Sequence, residues 1–243
     1  AHDSSPRVVV FLAGDLGSGD RWCHGNSVVR TPHIDRFAAD AVALDRFYVS
    51  PVCAPTRASL LTGRWNFRTG VSDVRGSGCE MSPHETTIAE QFRAAGYATG
   101  LFGKWHLGDK GPYRPTVRGF DETLTFEGPA MFADPYFDPV LLHNDRPEKW
   151  PGYCMDVFID AAVDFIRRHR SQPCFLHLPA NLIHTPMVAP DSLIAQYENL
   201  GLRDSTRTIY GMIAGVDRNF GRLRAAGRCR GPPGVAGSRW ALR

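Results

Sequence analysis

Side chains able to do chemistry fall at a few points of this 243-residue chain. The stretch SPVCAPTRASLLTGR, Ser50 to Arg64, places Cys53 two positions before Pro55 and four before Arg57, where a helical pattern (Arg57, Ala58, Ser59, Leu60, Leu61) opens and then stops at Gly63. Unpaired backbone N–H groups at a helix start stabilise anions, so a thiolate is favoured there and a bound oxyanion is welcome. The plainer alternative is a small buried hydrophobe that precedes a proline. Elsewhere stand Asp15 in the turn Gly14-Asp15-Leu16-Gly17, Lys104 and His106 in GKWHLG, and His184 in IHTP. A carboxylate for a metal, a nucleophile, an arginine, a lysine and two histidines make a set suited to a small, highly charged anion. Each also has a plainer use: Asp15 as a turn cap, Lys104 as a solvated charge, His106 and His184 as hydrogen-bonded core residues.

The elements that must position these residues alternate in type. RVVVFLA (Arg7 to Ala13) is a short apolar run rich in β-branched residues, as expected of a buried parallel strand. HIDRFAADAV after Pro32 puts Ile34, Phe37, Ala38 and Ala41 at helical spacing, and LDRFYV after it reads as a strand. TTIAEQFRAA reads as a helix ending at Gly96, and YATGLFG as a strand. Asp156 to His169 sets Phe158, Ala162, Phe165 and Ile166 on one helical face before the strand CFLHLP. The pattern predicts an α/β fold, a mainly parallel sheet sandwiched by helices, with ligands at the carboxyl ends of the strands. Asp15, the Cys53/Arg57 pair, the Lys104/His106 pair and His184 each follow one of these strands. Gly108 to Tyr153, rich in Pro, Gly and Asp, reads as a long excursion over the sheet edge.

Composition narrows the class. With 43% hydrophobic residues the chain can bury a sizeable core. Its formal charge is +3, but residues 222 to 243 hold six Arg and no acid; the remaining 22 Lys and Arg face 25 Asp and Glu, a net −3. The basic balance belongs to the tail, so the folded part lacks the electrostatic footprint of a nucleic-acid binder. No apolar run approaches the roughly 20 residues of a membrane-spanning helix. The six cysteines form no C-x-x-C pair and no finger-like array with histidine, which argues against a zinc module.

The ordered set SPVCAPTRASLLTGR, TPHIDRFA, GYATGLFGKWHLG, RGFDE and IHTP resembles the type I sulfatases, whose signature core is C-x-P-x-R, and the resemblance runs from Arg7 to about Leu223. It implies the alkaline phosphatase fold and a sulfuric ester hydrolase. In that family the cysteine matching Cys53 is oxidised by a dedicated formylglycine-generating enzyme to formylglycine, whose hydrate is the nucleophile. Carried over by residue, Arg57 and His106 would hold this group, Lys104 and His184 would bind sulfate oxygens, and His184 would protonate the leaving oxygen. A divalent cation, usually calcium, would be held by Asp15 and by residue 53. The implied partners are a sulfate ester and the maturation enzyme; members are usually exported to periplasm, extracellular space or lysosome.

The chain also departs from that family. The usual first strand ends in two adjacent aspartates, and here the first position is Gly14. The later Asp-Asn metal ligands and a second sulfate-binding lysine find no match. Residues 1–223 read as an incomplete sulfatase-like α/β domain lacking its C-terminal subdomain. Residues 224–243 read as an irregular basic tail, of the composition a GC-rich frame gives when translated out of register. Two alternatives stand beside the hydrolase: a remnant that only binds anions, and a phosphatase or phosphonate hydrolase of the same superfamily.

Overall fold

The computed structural model describes residues 7–44, 46–128, 136–227 and 239–242. Its centre is a seven-stranded sheet in the order β5-β4-β3-β2-β6-β1-β7. β1 (Val8–Leu12), β2 (Ala98–Phe102), β3 (Glu122–Thr125), β6 (Cys174–Pro179) and β7 (Arg239–Leu242) run parallel, while β4 (Val140–His143) and β5 (Arg146–Lys149) form an antiparallel hairpin beside β3. The central strands are covered on both faces, which is why RVVVF and CFLHLP read as continuous apolar runs rather than alternating ones.

Alternation sorts the core into two layers. Val9 and Phe11 of β1, Phe102 of β2 and Cys174, Leu176 and Leu178 of β6 face α1 (Pro32–Ala39), α4 (Cys154–Arg168) and α6 (Asp204–Gly227), which follows the one-turn α5 (Asp191–Ile194). Val8, Val10, Leu101 and Phe175 face the other way, toward α2 (Cys53–Thr62) and α3 (Ile88–Ala94). α3 is closed at its start by a capping box between Thr87 and Glu90, and α2 ends on Gly63 in the left-handed region at φ 67. No helix among the described residues is long and apolar enough to cross a membrane.

Three expectations need correction. LDRFYV is not a strand: Leu44, Phe47, Tyr48 and Val49 are exposed in irregular backbone. β-type composition forms a strand only where a neighbouring edge accepts its backbone groups, and both sides of β1 are already taken, by β6 and β7. The Gly108–Tyr153 excursion is not merely a loop, because it contributes β3, β4 and β5. The tail is not irregular throughout: α6 runs on to Gly227, and Arg239–Leu242 pairs in parallel with β1. Residues 228–238 and 243 of the tail lie outside the described residues.

Candidate active site

The carboxyl ends of three strands and the start of one helix converge. β1 delivers Gly14 and Asp15; the backbone stays locked to the chain after β6 because Ala180 N donates to Leu12 O at 2.8 Å and Ile183 N to Gly14 O at 2.9 Å. β2 delivers Lys104 and His106 through Gly103, which has φ 136 and whose added Cβ would lie 2.2 Å from Pro179 O, so no other residue fits there. Lys104 N then donates to Pro179 O at 2.8 Å, tying this turn to β6, and β6 leads on to His184. α2 brings Cys53 as its first residue and Arg57 one turn later. The fourth element expected to deliver site residues by a strand end does so by an irregular loop.

Four of the six candidate residues are joined by direct contacts. Cys53 Sγ lies 3.2 Å from His106 Nδ1 and 3.7 Å from Lys104 Nζ. Arg57, only 3% exposed, donates from Nη1 to Lys104 O at 3.0 Å. His106 Nε2 is 2.9 Å from Val74 O, which can only accept, so Nε2 carries the ring proton and Nδ1 turns a lone pair toward residue 53. The other two form a second pair: His184 Nε2 lies 3.9 Å from Asp15 Oδ2, and His184 Nδ1 donates to Thr185 O at 2.8 Å. Gly14 joins the pairs, since a Cβ there would lie 3.6 Å from Arg57 Nη2.

Burial dominates the electrostatics. It pulls the Arg57 guanidinium down to about 10 against the raising effect of Cys53 and Asp15. It also lowers Lys104, with Arg57 adding to the effect. His106 falls to about 4 through burial first and the Lys104 charge second, so its ring is neutral at pH 7. The site therefore presents two cations, a neutral imidazole lone pair and one half-exposed carboxylate, Asp15, arranged around a thiol at a helix start.

A sequence model of the family described as Sulfatase matches residues 6–226. This chain belongs to the sulfatase family. N-acetylgalactosamine-6-sulfatase of Sus scrofa is 29% identical over 88% of the chain and 47% of its own length; arylsulfatase J of Mus musculus is 30% identical over 82% and 36%. Among solved structures, Ps i-CgsB in complex with k-i-k-neocarrahexaose superposes with a TM-score of 0.84 at 31% identity, covering 91% of this chain and 55% of that one. The phosphonate monoester hydrolase of Agrobacterium radiobacter shares the fold, at a TM-score of 0.56 and 18% identity over 91% of this chain and 59% of that one. The fold is thus the alkaline phosphatase-like α/β fold expected of a sulfatase, and the chain spans about half the length, or less, of the curated relatives it matches.

The divalent cation implied for sulfatases does not fit the residues present. Calcium takes six to eight oxygen ligands, with carboxylates supplying most of the attraction. Among the described residues no group of three or more His, Cys, Asp or Glu is placed to hold a metal. At the site itself, among the described residues, Asp15 is the one carboxylate, its near partner is His184 Nε2 at 3.9 Å, and Gly14 offers no side chain.

His177 went unread in the sequence. It lies in β6 opposite Val10 of β1 and Leu101 of β2, is 1% exposed, and is stacked at 6.3 Å on Phe120. Burial and the Arg57 charge hold it near 3, one ring nitrogen bonds the Val10 backbone, and Nδ1 has no partner. Its signal was a polar residue inside an otherwise apolar central strand. Tyr136 was missed too; its hydroxyl donates to His184 O at 2.7 Å.

Proposed function

We propose that this chain carries the nucleophile-bearing, oxyanion-binding part of a sulfuric ester hydrolase. The observation that supports this best is the placement of Cys53 at the head of α2, within reach of both His106 Nδ1 and Lys104 Nζ and one turn from buried Arg57. Converted to formylglycine, residue 53 would supply a hydrated aldehyde whose hydroxyl attacks sulfur. Arg57 and Lys104 offset the charge of the sulfate oxygens. His106, neutral with Nδ1 as acceptor, orients a hydroxyl on residue 53 and draws on its proton. His184, held by Thr185 O through Nδ1, has Nε2 in position to carry a proton to the leaving oxygen, with Asp15 steadying the charged ring. A cavity of about 230 Å³ beside His106, walled by Trp105, Asp109, Lys110, Arg114 and Asp145, offers the alcohol half of the ester a lining that is partly apolar and partly charged.

The test is maturation followed by binding. Coexpression with a formylglycine-generating enzyme should replace the Cys53 sulfur and two hydrogens by one oxygen in the intact mass, because the short Cys53-to-Arg57 signature is complete. The matured chain should then bind an aryl sulfate in preference to the matching phosphate monoester. An unmodified Cys53 under conditions that mature a control sulfatase, or a preference for the phosphate ester, would overturn the reading.

A further inference from the structure

The loop that carries His184 is held from two sides. On the β1 side, Ala180 N donates to Leu12 O and Ile183 N to Gly14 O. On the other side, side chains at or beside the head of α4 reach it: Asn181 Nδ2 donates to Cys154 Sγ at 3.3 Å, Tyr136 Oη to His184 O at 2.7 Å and Tyr153 Oη to Val188 O at 3.0 Å. Tyr136 is itself pinned there, because its carbonyl accepts from Cys154 N at 2.7 Å and the next residue, Phe137, bridges Tyr153. Both tyrosines are buried, and burial lifts their hydroxyls above the usual phenol range, so each stays protonated and donates.

Of these contacts, the Tyr136 bond bears most directly on the site. His184 O belongs to the peptide that joins His184 to Thr185, so anchoring it fixes that peptide plane. Thr185 O, the next carbonyl along, is the acceptor for His184 Nδ1 at 2.8 Å. A ring nitrogen bonded to a carbonyl keeps its proton, and which nitrogen that is follows from the bond it makes. His184 therefore holds its fixed proton on Nδ1 and turns Nε2 toward Asp15 Oδ2, 3.9 Å away. We infer that Tyr136 is a positioning residue for His184: by holding His184 O, its hydroxyl keeps Thr185 O in place for Nδ1 and leaves Nε2 as the nitrogen that faces the site. The inference rests on reading the site as one for sulfate esters, in which Nε2 carries a proton to the leaving oxygen. It assigns a role to the segment leading into α4, which neither the Cys53-to-Arg57 signature nor the strand ends reach.

Tyr136→Phe removes the hydroxyl and keeps the ring, and Tyr153→Phe does the same to the bond farther along the loop. The His184 tautomer is read from long-range proton–nitrogen correlations of the isotope-labelled chain at about pH 8, above the ordinary imidazole range, with His184→Gln assigning the signals. The unaltered chain and Tyr153→Phe should carry the proton on Nδ1, whereas Tyr136→Phe should shift to a mixture with Nε2–H. An Nε2–H ring in the unaltered chain, no shift in Tyr136→Phe, or an equal shift in Tyr153→Phe overturns the inference. Binding gives a second readout. With residue 53 matured, 4-nitrophenyl sulfate titrated calorimetrically should bind Tyr136→Phe about threefold to tenfold more weakly than the unaltered chain. In a His184→Gln background the same change should cost less than about twofold, because the residue through which Tyr136 acts is gone. A loss of equal size in both backgrounds would show Tyr136 serving stability alone, and overturns the inference. No binding of the ester by the matured, unaltered chain overturns the sulfate-ester reading instead, and the tautomer comparison still decides the role of Tyr136.

Discussion

His106 and His177 share a property with consequences for acid stability: burial disfavours their charged forms. His106 sits at about 4 and His177 at about 3, against the usual 6.5 for an unfolded chain. A folded-state value below the unfolded one means that the native protein binds fewer protons between the two. The stability these rings contribute is complete above 6.5 and is lost as pH falls toward 4 and 3, by up to about 1.4 kcal/mol per pH unit for each. Asp217 works in the opposite sense. Burial lifts its carboxyl to about 6 from 3.8, so its contribution rises as pH falls through that window. With two histidines against one aspartate, urea unfolding should show lower stability at pH 4.5 than at pH 7. His177→Phe should flatten that dependence, whereas Asp217→Asn should steepen it. An unchanged slope in His177→Phe would mean that the ring is protonated in the native state.

At the scale of elements, the long helix α6 and the short helix α1 are joined by one side chain. Asp217 accepts from His33 N at 3.0 Å and from Ile34 N at 2.8 Å, capping α1 from 184 and 183 positions away, since Thr31 makes no side-chain cap. Phe220 packs edge-on against Phe37 and Phe11, carrying the same junction into the sheet. Asp217→Ala should therefore cost about 2 kcal/mol, and Asp217→Asn, which keeps an oxygen acceptor, less than that, as read from denaturant midpoints. Equal losses would show that the cap contributes little. No sequence spacing announces a cap at that range, although α1 itself was legible. β1, β2, β6 and α4 were readable because each pattern is set by the faces it buries: two for the central strands, one for α4. LDRFYV misled because its composition suits a strand that this fold gives no neighbour. β3 to β5 hid among prolines and glycines because short edge strands need little apolar content. Asp15, Lys104, His106 and His184 were found from their positions after strands and Cys53 and Arg57 from their own spacing, while His177, lying inside a strand, was not.

The whole molecule carries an apolar surface where a folded domain of this size would ordinarily hide one. Tyr48 is 86% and Trp65 79% exposed, with Val49 and Phe67 beside them in sequence, and Ser50 Oγ donates to Asn66 Oδ1 at 3.2 Å to hold the two segments together. The surface adjoins the head of α2, and the curated relatives are about twice the length of this chain or more. Exposed patches of this kind promote association, so a Tyr48→Lys, Trp65→Lys double variant should stay monomeric in sedimentation runs at concentrations where the unaltered chain self-associates, with little change in thermal midpoint. Catalysis by the 243-residue chain should be limited by what the transition state requires. Attack on sulfur needs a nucleophile made more acidic in the transition state and charge offset there beyond what the ground state receives. Arg57 and Lys104 attract the sulfate group in both states alike, and Asp15 alone does not assemble a metal centre. With residue 53 fully matured, hydrolysis of an activated aryl sulfate should therefore run no faster than in a Cys53→Ala control, with or without calcium. Calcium-dependent turnover clearly above that control would show that oxygen ligands beyond Asp15 complete a metal centre in this chain.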